Sequence, residues 1–167
     1  MRQDIRRRRL SIAAGLVYVV AVTGCAGAPE RPTLDEAAKL LIADGDKLLA
    51  SQDLAATGAA TATERAGQDS EVGCLKGQAQ RFYRAQGDLK GPPYVQSPSN
   101  AAGLMASGLG LRGYDTIVDN LDLRDENLGM AVLQHPTTGI TFLITVRNEQ
   151  KPNIMIVGKT SCYEPSR

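Results

Sequence analysis

The sequence predicts an α+β domain in which two helices pack on one face of a roughly four-stranded antiparallel sheet. Three observations point to this class: a capped amphipathic segment that begins at Thr33, a second helical segment that begins at Ser97, and apolar alternation over residues 139–146. The resulting order, a helix, a strand, a helix and three strands, is typical of α+β domains, which bury one face of an antiparallel sheet under their helices.

The first predicted helix covers residues 33–51, TLDEAAKLLIADGDKLLAS. Thr33 and Glu36 have the spacing of a capping box. The apolar residues that share one helical face are Leu34, Ala37, Ala38, Leu41 and Leu48. Residues 53–70 are small and polar without an apolar stripe, and we interpret them as a helix end that passes into a loop.

The second predicted helix follows a proline-rich stretch. Ser97 is a suitable N-cap, Pro98 suits the first helical position, and Gly113 is placed to end the helix. The residues that share its apolar face are Ala101, Leu104, Met105 and Gly108.

The last third of the chain predicts a three-stranded meander. The central strand lies in residues 139–146, GITFLITV, and turns at residues 136–139 and 148–153 flank it. Its partners are LGMAVLQ before it and NIMIVGKTSC after it. We expect one further strand, or a pair of strands, between residues 71 and 90, where glycines interrupt the apolar pattern.

The amino-terminal residues have the order of a secretory signal. Residues 1–9 hold five arginines and one aspartate, and residues 10–24 are uncharged and mostly apolar. This run is shorter than the about 20 apolar residues that a transmembrane helix needs. We therefore predict a signal peptide over residues 1–24, a polar tether over residues 25–32 and one domain over residues 33–167.

The stretch Val22-Thr23-Gly24-Cys25 resembles the lipobox of bacterial lipoproteins. This resemblance implies that Cys25 receives a diacylglycerol, that the signal is cut just before it, and that a further acyl chain such as palmitate is added to the new amino terminus. In layout the chain is similar to small actinobacterial cell-envelope lipoproteins, a group that implies no single activity. The resemblance thus implies a domain held by lipid on the extracytoplasmic side of the cell membrane. The alternative is an ordinary signal peptide or signal anchor with an incidental cysteine.

The export route stays open between general secretion and the twin-arginine route. Ser11 follows Arg8-Arg9-Leu10 where a twin-arginine signal usually has a second apolar residue, and this favours general secretion.

The charge of the predicted mature chain argues against nucleic acid as a partner. The whole chain is formally +1, but without residues 1–24 it has 14 basic and 17 acidic residues, a net charge of −3 over 143 residues. A slightly acidic domain lacks the excess of positive charge that attracts nucleic acid or anionic lipid.

Two cysteines remain after Cys25 is assigned to lipid. Cys74 and Cys162 form an even pair in an exported chain, and a disulfide is the expected outcome. Two free buried thiols are the alternative. No metal site is expected, because the sequence has no CxxC motif and the single histidine, His135, stands next to Pro136 in a predicted turn.

Residue patterns that carry catalysis are weak in this sequence. His135 has no accompanying nucleophile motif, so we predict a turn histidine and no enzyme. An acidic run could supply oxygens to calcium through Asp115, Asp119, Asp122, Asp125 and Glu126. The spacing does not fit an EF-hand and Arg124 interrupts the cluster, which favours a solvated surface without a cofactor.

One short segment suggests a recognition surface. Arg81, Tyr83 and Arg84 could present an aromatic and basic strip, although we favour the interpretation that they are the outward residues of a strand. The anchor that the lipobox implies, the compact domain with one expected disulfide and the weakness of catalytic patterns together predict a non-enzymatic, membrane-anchored domain. We expect it to bind an envelope protein or peptide through its sheet or through the surface between its helices. The alternative is a carrier or sensor of a small apolar ligand, which needs an apolar cavity between helices and sheet.

Overall fold

The computed structural model describes residues 32–92, 94–119, 125–149 and 151–164, and these form an α+β fold on one antiparallel sheet. The elements in chain order are α1 (Leu34–Leu49), α2 (Gln52–Thr57), β1 (Gly58–Arg65), β2 (Phe82–Leu89), α3 (Pro98–Gly110), β3 (Asp115–Val118), β4 (Leu128–Gln134), β5 (Thr141–Arg147) and β6 (Ile154–Lys159). Only Ala50 and Ser51 separate α1 from α2, so helix occurs in two regions of the chain. The predicted signal peptide and Cys25 lie outside the described residues.

The sheet has six strands in the order β1-β2-β6-β5-β4-β3, and all neighbours are antiparallel. The predicted meander is confirmed as β4-β5-β6. The predicted number of strands, about four, was too low, because β1 and β3 add a strand at each edge. β1 was missed because its inward residues are Ala60 and Ala62, and alanines that alternate with threonines give little contrast in hydropathy.

The helices begin where the sequence predicts. In α1 the Thr33 hydroxyl accepts from the Glu36 amide at 3.3 Å, and the Glu36 carboxylate accepts from the Thr33 amide at 2.8 Å. In α3 the Ser97 side chain accepts from the Asn100 amide, with Pro98 at the first helical position. Among the described residues, no helix is long and apolar enough to cross a membrane.

Both helical regions pack on the same face of the sheet. The alternately buried residues of β5 are Phe142, Ile144 and Val146, and they share one core with the buried stripes of α1 and α3. Two strand glycines on this face allow the helices to approach the sheet closely. A Cβ at Gly158 would lie 2.7 Å from the Leu41 side chain, and one at Gly129 would overlap the backbone of Pro98. The absence of a side chain at these positions sets how closely α1 and α3 approach the sheet.

The predicted Cys74–Cys162 disulfide is confirmed, with 5.7 Å between the two Cα atoms. It joins the long β1–β2 connection to the segment that follows β6. Reciprocal backbone hydrogen bonds between Ala79 and Tyr163, of 2.8 and 2.9 Å, reinforce the same junction. The late segment of the chain is therefore held to the rest of the domain by both a covalent bond and a short backbone ladder.

The strand register defines two ends of the sheet. Lys159 lies opposite both Phe82 and Thr141, so the connections before β2, between β4 and β5 and after β6 meet at one end. Pro32, the first described residue, lines a pocket of about 190 Å³ at this end with Pro136–Gly139 and Ser161–Tyr163. We call this end the tether end and the opposite one, with residues 90–92, 94–97, 148–149 and 151–153, the far end.

Candidate functional site

The side of the sheet opposite the helices carries half-exposed apolar side chains, and we call it the open sheet face. It comprises Phe82, Met130, Val132, Leu143, Met155 and Val157. Val132, Leu143 and Val157 stand side by side across β4, β5 and β6 in one cross-strand row. Met155 is 49% exposed, whereas the residues on either side of it in β6, Ile154 and Ile156, are fully buried on the helix side. Apolar residues thus occupy both faces of the central strands.

Polar groups border the open sheet face on the β1–β2 side. Arg84 continues the row beyond Val157, and its guanidinium carbon lies 4.4 Å from the centre of the Phe82 ring. The same guanidinium forms an ion pair with Glu64 of β1. A cation over an aromatic face and an ion pair beside an aliphatic row resemble the apolar centre and polar rim of protein interfaces.

The predicted strip of Arg81, Tyr83 and Arg84 is not brought together on one surface. Arg84 lies on the open sheet face, whereas Tyr83 is completely buried on the helix side. Arg81 contacts Asp69 at 2.6 Å and Asp35 at 2.7 Å, and its hydrogen bond to Asp69 raises the pKa of the guanidinium. Strand alternation divides these residues, so that only Arg84 is available on this face for recognition.

Two buried tyrosines donate hydrogen bonds to carboxylates of α1. The Tyr83 hydroxyl donates to Asp46 at 3.0 Å, and the Tyr114 hydroxyl donates to Asp44 at 2.8 Å. Burial first, and then these hydrogen bonds, raise the pKa of both tyrosines above the ordinary value. Arg65 also holds Asp46 through contacts of 2.8 and 2.9 Å. Both phenols therefore stay neutral and position α1 over the sheet.

His135 lies in the β4–β5 turn, as predicted. The Thr137 and Thr138 amides lie 3.3 and 3.4 Å from its Nδ1 atom, and its ring meets the Tyr114 ring edge to face with centroids 5.2 Å apart. The imidazole thus closes the turn and covers a buried tyrosine.

The acidic run is only partly within the described residues, because Asp122 and Arg124 lie outside them. Asp115 belongs to β3, and Asp125 accepts from the Asn127 amide at 2.9 Å. In the part of the chain that the structure describes, no group of three or more His, Cys, Asp or Glu residues could hold a metal ion.

Two surface cavities lie near the ends of β3 and β4. A groove of about 250 Å³ between α3 and β3 has walls that include Ser107, Thr116 and Asp119. A cavity of about 320 Å³ at the far end is lined by Asp125, Asn127, Leu128, Arg147, Asn148 and Glu149. The first has both polar and small apolar walls, and the second presents charges of both signs, so neither selects one class of ligand.

Binding through the sheet was predicted only in general terms, and the residues of the open sheet face were not singled out. The signal was present in β4 and β6, LGMAVLQ and IMIVGK, where apolar residues occupy successive positions as they do in strands buried on both sides.

Comparison with known proteins adds no assignment: no protein-family model, curated protein or solved structure matches this chain.

Proposed function

We propose that this protein is a lipid-anchored domain of the cell envelope that binds another envelope protein through the open sheet face, without catalysing a reaction. One observation carries this proposal: the aliphatic row Val132, Leu143 and Val157, bordered by Arg84 and Glu64, lies on the side of the sheet that α1 and α3 do not cover. The row is half-buried and continues to the exposed Met155, and a contiguous apolar surface that is left partly open to solvent is typical of interaction sites.

The anchor part of the proposal rests on the sequence. The signal-like residues 1–24 and the lipobox that ends at Cys25 support lipidation, and two or more acyl chains give stable membrane attachment. The disulfide between Cys74 and Cys162 is consistent with an oxidising compartment outside the cytosol.

The polar side chains on the same face would set the partner's orientation. Arg84 and Glu64 neutralise each other and present donor and acceptor atoms, while Thr145 and Gln86 flank Met155 in the neighbouring row. An aliphatic centre with such a border favours a protein surface, whose own polar groups can satisfy the rim.

The alternative function is a carrier or sensor of a small apolar ligand, and among the described residues the groove between α3 and β3 is the cavity with partly apolar walls that would suit it best. Pockets for such ligands usually occupy about 300–1,000 Å³ and enclose most of the ligand. The groove is smaller than this range, and the fully buried Tyr83 and Phe142 occupy the space between α1 and the sheet. We therefore favour protein binding.

Site-specific photocrosslinking in the native cell envelope tests the binding surface. A photoreactive residue at position 155 lies on the open sheet face, and one at position 43 replaces the exposed Ala43 of α1 as the matched control. We expect one discrete adduct from position 155, none from position 43, and loss of the adduct when Thr145→Glu places a charge beside position 155. Equal crosslinking from both positions, or an adduct unaffected by Thr145→Glu at unchanged stability, would remove the open sheet face from the proposal.

A further inference from the structure

The long β1–β2 connection, residues 66–81, ends in a rigid apolar tip at the tether end. Within it, two successive turns are closed by hydrogen bonds from the Cys74 amide to the Glu71 carbonyl and from the Gln78 amide to the Leu75 carbonyl, both 3.0 Å. Each turn has glycine at its third position, Gly73 with φ +79° and Gly77 with φ +81°. Only glycine adopts this conformation without strain, so the sequences EVGC and LKGQ specify the two turns.

Val72 and Leu75 project from these turns into solvent, at 76% and 75% exposure. Cys74, which lies between them in the chain, forms the disulfide with Cys162. The Gln80 side chain donates a hydrogen bond to the Val72 carbonyl oxygen. The two apolar side chains are therefore presented by a backbone that is already ordered. Binding through them loses little conformational entropy, which is the usual cost of ordering a loop.

Exposure alone does not assign a partner to this tip, because Tyr94 and Val95 are also exposed, at the far end. The tether distinguishes the two ends. Pro32 lies at the tether end, and the seven residue steps from Cys25 to Pro32 span at most about 25 Å when the chain is fully extended. If Cys25 carries lipid, the tether end faces the bilayer at close range. The opposite, far end is then directed away from it.

We propose that Val72 and Leu75 insert into the interfacial region of the membrane and fix the orientation of the anchored domain. This inference rests on the proposed lipid anchor at Cys25. Apolar side chains that enter the boundary between headgroups and acyl chains bind in proportion to the apolar area that they bury. Leu111, which is 91% exposed, lies between α3 and β3 at the same end of the sheet and would add a further apolar contact.

The contact is apolar in origin and does not depend on lipid charge. The connection is neutral overall, because Lys76 and Arg81 are balanced by Asp69 and Glu71, and Asp69 is already paired with Arg81. The predicted mature sequence is slightly acidic. We therefore expect insertion into neutral and anionic bilayers alike, whereas a polybasic contact would strengthen with anionic lipid. In this orientation the strands of the sheet point away from the membrane surface. The open sheet face then stands across that surface and remains accessible to a protein partner.

Tryptophan fluorescence tests the inference directly, because the chain contains no tryptophan. Leu75→Trp places a single reporter at the tip, and Val95→Trp places a matched reporter at an exposed apolar position of the far end. Both acylated full-length variants are reconstituted into vesicles of phosphatidylcholine, with and without phosphatidylglycerol. Brominated acyl chains quench a tryptophan that reaches the interface, and vesicle flotation reports the anchor independently.

We expect the emission of the Leu75→Trp variant to shift to shorter wavelength and to fall by roughly twofold or more with brominated lipid, in both vesicle types, while the Val95→Trp variant is unaffected. A variant that floats with vesicles but shows no quenching at position 75 overturns the membrane contact and leaves the anchor intact. Equal quenching at both positions also overturns it, because the domain would then have no fixed orientation. Failure to float overturns the anchor and, with it, the contact.

Discussion

Replacing Gly45 by alanine should destabilise the domain, although alanine is the better helix former. Gly45 is buried in the middle of α1, and a Cβ built there would lie 2.6 Å from two carbons of the Tyr83 ring. The ring is completely buried and its hydroxyl is bonded to Asp46, so it must move by roughly 1 Å against a packed core to make room. The helical position itself gains about 1 kcal/mol from the substitution.

The two effects can be compared as free energies of unfolding. Overpacking in a core costs typically about 1–3 kcal/mol, and contact with several ring atoms argues for the upper part of that range. The expected net loss is about 2 kcal/mol, which corresponds to a fall in Tm of roughly 6–8 °C for a domain of this size. Thermal unfolding followed by circular dichroism measures it.

Gly103→Ala is the matched control, because Gly103 is also a helical glycine but a Cβ there meets no atom within 4 Å. This variant should gain about 0.5–1 kcal/mol and a Tm higher by roughly 2–4 °C. In the background Tyr83→Leu, where the ring is absent, Gly45→Ala should lose most of its penalty. A Tm for Gly45→Ala that equals or exceeds the wild-type value would refute the account of how α1 packs on Tyr83.

Three further perturbations test the disulfide, the buried tyrosines and the capping box. The double variant Cys74→Ser/Cys162→Ser should lose about 2–5 kcal/mol of unfolding free energy in urea titrations, and a reductant should destabilise the wild type but not this variant. Because burial and the Asp46 carboxylate raise the pKa of Tyr83, its contribution to stability is complete below the ordinary value of 10.0 and is lost as the pH rises above it. Alkaline unfolding should therefore shift to higher pH in Tyr83→Phe, and an unchanged midpoint would contradict this. The hydrogen bonds from the Thr33 backbone and hydroxyl lower the pKa of Glu36, so the wild type should lose stability as the pH falls below the ordinary value of 4.5. Glu36→Gln should flatten the dependence of Tm on pH in this range, and identical pH profiles for the two proteins would argue against the capping box.

Elements with a strong local signal were predictable from the sequence. Thr33 with Glu36 marked the start of α1, Ser97-Pro98 marked the start of α3, and the alternation around Phe142 marked β5. Each of these signals depends on residues close together in the chain, where capping and periodicity act directly.

The parts that were missed depend on contacts between residues distant in the chain. β1 was not predicted because its inward alanines become core residues only under α1, next to β2. The inward position of Tyr83 depends on the space left by Gly45, 38 positions earlier in the chain. Strand alternation alone predicts that Tyr83 and Arg84 point to opposite faces of the sheet. Predicting the open sheet face also requires knowing which side of the sheet the helices cover.

The intact mass of the protein extracted from its native membrane, before and after reduction and thiol alkylation, tests the central claim of a lipid-anchored, disulfide-bonded envelope domain most directly. We predict a chain that begins at Cys25, is heavier by a diacylglycerol and a further acyl chain, and gains two alkyl groups only after reduction. A chain without lipid at Cys25, or one that is alkylated at Cys74 and Cys162 before reduction, would contradict the account.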